Sequence, residues 1–108
     1  MQYQTEYRIS EAQLRKKFDK HAHDFCVLGH CNGQSLAEFK SAIEALLQDS
    51  NVKVIVGTFR RHRPVIYYFD PNTRLTIMLS DTGDFVSGWK LSLMQEKRLL
   101  ETGNLGGG

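Results

Sequence analysis

Only two cysteines occur in 108 residues, Cys26 and Cys31, five positions apart. A bridge between them would close a tiny loop and add little stability, so a disulfide framework is excluded and both are expected as free thiols. No apolar run approaches the roughly 20 residues that cross a bilayer. The opening MQYQTEYRIS is polar and lacks the pattern of a secretory signal. Neither sign of charge dominates, with 14 Lys and Arg against 12 Asp and Glu. The chain contains no P-loop, no GxSxG nucleophile elbow and no pair of carboxylates, so phosphoryl transfer with a nucleotide cofactor has no support.

What is present reads as one domain over residues 1–108. Hydrophobic residues make up 41% and charged residues 24%, ordinary globular values. The positive charges are not spread evenly. Arg15, Lys16, Lys17 and Lys20 form one cluster, relieved only by Asp19, and Lys53, Arg60, Arg61 and Arg63 form a second in a stretch free of acids. A near-neutral chain with two local basic patches suits a polyanion partner.

Periodicity divides the chain into seven elements. ISEAQLRKKFDKHAHDF predicts a first helix, with Ser10 and Gln13 as a capping box and Leu14, Phe18, Ala22 and Phe25 along its apolar side. SLAEFKSAIEALLQDS predicts a second, with Ser35 and Glu38 as its box. Four strands follow, in VKVIVGTFR, PVIYYF, RLTIMLS and FVSGWKLS, joined by the short turns of an antiparallel meander. A period of two places Phe85, Ser87, Trp89 and Leu91 on one face of the last strand. SLMQEKRLLETGN predicts a short closing helix, boxed by Ser92 and Gln95 and ended by Gly103. The closing LGGG reads as a flexible tail. The expected class is α+β: N-terminal helices on a twisted four-stranded antiparallel sheet, with a short C-terminal helix.

Three groups of residues carry candidate chemistry. His21 lies on the apolar arc of the first helix, where most histidines simply pack. Lys17 and Lys20 flank it with no obvious acid to pair them, which suits a proton-transfer group held beside a phosphate. His21, His23, Cys26, His30 and Cys31 are also zinc-ligand types, but they crowd one short segment and lack a second separated pair. The turn GTFRRHRPV reads either as a guarded hairpin edge or as a phosphate-tracking arm, with Phe59, Tyr67 or Tyr68 as stacking rings for single-stranded RNA. At most one of the two tyrosines serves, because they face opposite sides. In FVSGWK, Gly88 marks a close approach of backbone or ligand, and Ser87 reaches His21 if the first helix packs there.

KKFDKHAHDF, followed by GTFR, YYFDPNT and DFVSGWKLS, resembles the nuclease domains of the colicin D type, including toxin domains of contact-dependent inhibition systems. The likeness runs from about Leu14 to Leu105. It implies a barnase/RelE-like α+β nuclease, a toxin that cuts tRNA in the anticodon loop without metal or cofactor. It places catalytic residues on His21, Lys20, Ser87 and Trp89, and Lys17 joins the expected catalytic set from its place beside His21 on the helix. Thr58, Arg60, Arg61, Arg63, Lys53 and Lys90 are the expected substrate-binding residues. The family's second lysine falls on Phe18 here, with Lys17 as the nearest substitute. The resemblance also implies a cognate immunity protein, for which an acidic face is expected. It further implies a larger delivery protein of which this is the C-terminal part, released by the producing bacterium and acting in the target-cell cytoplasm, with no membrane role for the domain itself. A non-catalytic RNA-binding module and a small zinc-bound domain are the other readings.

Overall fold

A computed structural model describes residues 7–60 and 62–105. Arg61 and the last three glycines lie outside the described residues. Helix α1 spans Glu11–His21 and tightens into a 3₁₀ turn over Ala22–Phe25. That turn stops at Cys26, held in the left-handed region at φ 63°, a conformation costing a non-glycine residue about 1 kcal/mol. Helix α2 spans Gly33–Leu47, and strands β1 to β4 run over Lys53–Phe59, Arg63–Phe69, Leu75–Ser80 and Phe85–Lys90. Helix α3 spans Leu93–Thr102 and a two-residue strand, β5, covers Asn104–Leu105. No helix among the described residues is long and apolar enough to cross a membrane.

The class is α+β as expected, with one addition. The sheet has five strands in the order β4-β3-β2-β1-β5. β5 pairs with β1 in parallel, so the sheet is mixed rather than wholly antiparallel. Two paired residues leave too short a pattern for any periodicity to reveal; only the return of the chain after α3 brings Leu105 beside Phe59.

Both faces of the sheet are covered. On one, α1, the 3₁₀ turn and α2 bury Leu14, Phe18, Phe25, Phe39 and Ile43 against Tyr68, Ile77, Leu79 and Phe85. Phe39 is fully buried and meets Phe18 and Phe25 edge-on at 5.8 and 5.6 Å; each such pair contributes roughly 1 kcal/mol beyond its buried area. On the other face, α3 contributes Leu99 to a second cluster of Phe59, Val65, Tyr67, Phe69, Met78 and Trp89. Double coverage explains why Thr76, Ile77, Met78 and Leu79 are all buried in the central β3.

Local sequence signals set the helix ends with two shifts. Ser92 and Gln95 form the reciprocal box of α3, and Gly103 caps it at φ 67°, as the sequence predicts. For α2 the box is Asn32 with Ser35, one turn earlier than the expected Ser35 and Glu38. For α1, Ser10 accepts the Gln13 N–H, but the Gln13 side chain turns away to β4 instead of closing the box.

Strand β4 departs from a simple alternation. Met78 pairs with Ser87 and Leu79 with Phe85, leaving Val86 as the extra residue of a bulge. Phe85 therefore joins the helix-covered core, while Ser87 and Trp89 face the other side. The expected shared face of Phe85, Ser87 and Trp89 is corrected by that one residue.

Candidate active site

Helix α1 lies along β4, one of the two edge strands of the sheet. Two stripes run down it. Leu14, Phe18 and Ala22 enter the core. Gln13, Lys17, His21 and, on the 3₁₀ turn, Asp24 follow at helical spacing and look across the β4 edge. His21 is buried and packs its ring on Trp89, with centroids 5.9 Å apart and planes tilted by 33°.

Beside this contact opens a cleft of about 870 Å³. Lys17 forms its α1 wall. Phe59, Arg60, Arg63 and Pro64 form the hairpin wall, and Val65, Met78, Val86 and Ser87 lie between them, with Asp81 at the rim. The hairpin is strained where it meets the cleft: Arg60 and His62 both hold positive φ, 52° and 60°. Each costs on the order of 1 kcal/mol in a residue other than glycine. The guanidinium of Arg60 sits 5.1 Å from the Phe59 ring centroid, which helps hold it in place.

Electrostatics sharpen the site. Burial, then the Lys20 and Lys17 cations, hold the His21 imidazole below its ordinary value, with Asp24 acting in the opposite sense. His21 is therefore a neutral base at neutral pH. Burial, then Lys20, Arg60 and Lys16, make Lys17 give up its proton more easily than an ordinary lysine. Four buried polar atoms, His21 Nε2, Ser87 Oγ, Trp89 Nε1 and Thr76 Oγ1, find no hydrogen-bond partner among the described residues. Orphans of this kind are costly, and a catalytic role is one of the recognised reasons for keeping them. The arrangement combines a neutral imidazole, a cationic wall and unpaired donors, which is the equipment for proton transfer at a phosphodiester.

The structure divides the residues singled out from sequence. Lys17 and Ser87 line the cleft, His21 and Trp89 pack beside it, and Lys20 is exposed but acts on both His21 and Lys17. Arg60 and Arg63 form the opposite wall. Lys53 stands at the other end of β1, paired with Phe69 and roughly 20 Å from Arg60. Lys90 ends β4 opposite Leu75, away from the cleft. Thr58 accepts a hydrogen bond from Asn104 Nδ2 at 2.8 Å, holding β5 to β1. Tyr67 and Tyr68 are both buried, so neither presents a ring to a base; the Tyr67 hydroxyl donates to Thr58 O at 2.6 Å. Gly88 marks packing rather than a ligand: a Cβ there would stand 2.6 Å from Ile77 Cδ1 and 3.2 Å from Phe25 Cζ. The histidines and cysteines of residues 21–31 do not converge as a zinc site; among the described residues no group of three or more His, Cys, Asp or Glu is placed to hold a metal ion. Sequence reasoning missed Gln13, Asp24 and Asp81. The first two were signalled by their spacing from His21 on one helical stripe.

Comparison with known proteins places this architecture. The chain matches the colicin D family model over residues 13–98. It is 40% identical over 101 residues to Colicin-D of Escherichia coli, covering 91% of this chain but only 14% of that protein's length. It also superposes with a TM-score of 0.76 and 38% identity on a ribonuclease from Escherichia coli complexed with its inhibitor protein, covering 85% of this chain and 99% of that one. With an α1 histidine against a β4 tryptophan inside the matched segment, the chain belongs to the colicin D family.

Proposed function

We propose that residues 1–108 are a single toxin domain, an endoribonuclease that cleaves tRNA in the anticodon loop. The observation that carries this reading is a cleft with Lys17 and Ser87 on one side and Arg60 and Arg63 on the other, next along α1 and β4 to the ring contact of His21 with Trp89. The likeness to a solved ribonuclease supports the reaction class. A ribose 2′-OH gives its proton to neutral His21 as its oxygen attacks the adjacent 3′-phosphate. Trp89 keeps the imidazole plane fixed. Lys20 and Lys17 stabilise the charge gathering on the phosphorane, and Ser87 Oγ donates to a phosphate oxygen. The P–O5′ bond then breaks, and in this reading Lys17 protonates the departing 5′-oxygen. The products are a 2′,3′-cyclic phosphate and a 5′-hydroxyl. Brief incubation with unfractionated tRNA, followed by end-mapping, tests this: cyclic phosphate ends confined to anticodon loops are expected, and 3′-hydroxyl ends or no cleavage would refute it. Activity should persist in EDTA, because the steps use only side chains and substrate.

Binding draws on the same cations. Arg60→Ala with Arg63→Ala should raise KM about tenfold or more while kcat changes little, and should flatten the fall of kcat/KM with rising salt. A defect confined to kcat would move these arginines from binding into the chemistry.

The solved relative is bound to an inhibitor, which supports a cognate immunity protein for this chain. Such a partner competes with a polyanion and presents an acidic face to Lys17, Lys20, Arg60 and Arg63. The chain spans only 14% of the length of Colicin-D, which fits one domain of a larger protein; in this reading that protein is a secreted delivery protein, this domain is its C-terminal part, and the target-cell cytoplasm is its place of action.

A further inference from the structure

The groups assigned to the chemistry come from two elements, α1 and β4. Among the described residues, none of His21 Nε2, Ser87 Oγ and Trp89 Nε1 has a hydrogen-bond partner. No hydrogen bond inside the site therefore fixes the spacing between helix and strand. β4 is an edge strand; its outward side meets backbone at its start, where the Phe85 N–H donates to the Arg8 carbonyl at 2.8 Å just ahead of α1, and the outward backbone groups further along need other partners. Two side chains of α1 and its 3₁₀ turn supply them. Gln13 Nε2 donates to the Val86 carbonyl at 2.6 Å, and the Lys90 N–H donates to Asp24 Oδ2 at 3.1 Å.

The placement of these contacts is specific. On the strand, Val86 and Lys90 bracket Ser87 and Trp89. On the helix and turn, Gln13 and Asp24 bracket Lys17 and His21. Val86 is the bulged residue, whose carbonyl is displaced from the regular ladder. Gly88 lies between the two contacts, and its missing side chain lets Phe25 of the turn come close to the strand. We propose that Gln13 and Asp24 are positioning residues, a two-point brace fastening α1 to the open edge of β4. By it they set the distance from His21 and Lys17 to Ser87 and Trp89. The inference rests on the ribonuclease reading for its consequence, but the brace itself is measurable without any activity.

Asp24 has a second effect that separates position from charge. The charged and titratable groups acting on His21 are Lys20, Lys17, Asp24 and His23. Asp24 is the one that favours its protonated form. Asp24→Asn keeps an oxygen to accept the Lys90 N–H and removes the charge; Asp24→Ala removes both.

The experiment compares Gln13→Ala, Asp24→Ala and Asp24→Asn by steady-state cleavage of unfractionated tRNA and by NMR of His21 and the Trp89 indole N–H. Gln13→Ala and Asp24→Ala should each lower kcat about tenfold with KM within about twofold, because misplacement costs turnover before binding. Asp24→Asn should recover most of the turnover that Asp24→Ala loses, while the titration of His21 moves to lower pH. The Trp89 indole resonance should move in the two alanine variants and stay in Asp24→Asn. Wild-type kcat in either alanine variant would overturn the brace, as would Asp24→Asn losing as much turnover as Asp24→Ala. Should Asp24→Ala fail to fold, Gln13→Ala and Asp24→Asn still decide. A wild-type chain that cuts no RNA would defeat the ribonuclease reading instead, leaving the NMR comparison to judge the brace.

Discussion

Replacing His21 with alanine is expected to lower RNA cleavage by roughly a hundredfold or more, the usual scale for losing a general acid–base. The domain should stay folded. His21 is buried against Trp89, and its removal should cost about 1–3 kcal/mol, a lower melting temperature rather than loss of structure. RNA binding should survive, since the lysines and arginines remain. The pH behaviour adds a second signature. His21 is held below its ordinary value of 6.5, so kcat/KM should rise with pH along a limb lying below 6.5. The descending limb should fall below 10.5, because Lys17 is displaced downward as well. Stability follows with a definite sign. The unfolded imidazole binds its proton more tightly than the folded one, so stability drops as pH falls from 6.5 through the folded value. His21→Ala should remove that dependence. His23 is an internal control: its side chain is exposed and makes only a surface contact with Asp24 Oδ1, leaving the oxygen that accepts the Lys90 N–H untouched, so His23→Ala should keep most activity. Full cleavage by a folded His21→Ala chain would end the catalytic assignment.

The largest effect on stability is expected far from that histidine. A Cβ at Gly57 would overlap the carbonyl oxygen of Gly103 and stand 2.9 Å from its carbonyl carbon. Both are backbone, so no side chain can swing aside. That carbonyl accepts the Thr58 N–H at 2.9 Å, at the start of the β1–β5 pairing. Gly57→Ala must therefore push α3 and β5 off β1 and loosen Leu105 and Leu99 from the second core. A loss of roughly 3 kcal/mol is expected, which for a domain of this size lowers the melting temperature by about 10 °C or more. Gly103→Ala is the comparison. Its φ of 67° penalises a side chain, but its surroundings leave room for one, so it should cost only about 1 kcal/mol. Thermal melts of the two variants within a couple of degrees of each other would show that the close approach is not the determinant.

Much of this protein is written in local pattern. The alternation of VKVIVGTF, the box of Ser92 with Gln95 and the stop at Gly103 each depend on neighbours within a few positions, so the sequence alone sets four strands, three helices and the α+β class. The stripe that brings Lys17 and His21 to one side of α1 is local in the same sense, since 3.6 residues per turn determine it. What the sequence alone did not determine depends on partners distant along the chain. The bulge at Val86 exists only in the pairing of β4 with β3, and it sends Phe85 to one core and Ser87 to the other. The two-residue β5 is a strand only because β1 lies beside it. Tyr67 and Tyr68 read as rings for bases until coverage of both sheet faces buries them. Lys53 and Arg60 belong to one basic stretch, yet an extended strand carries them to opposite ends of the sheet. Short-range geometry follows from residue type, whereas burial, register and the convergence of side chains on a cleft are properties of which surfaces meet, and only the folded chain decides that.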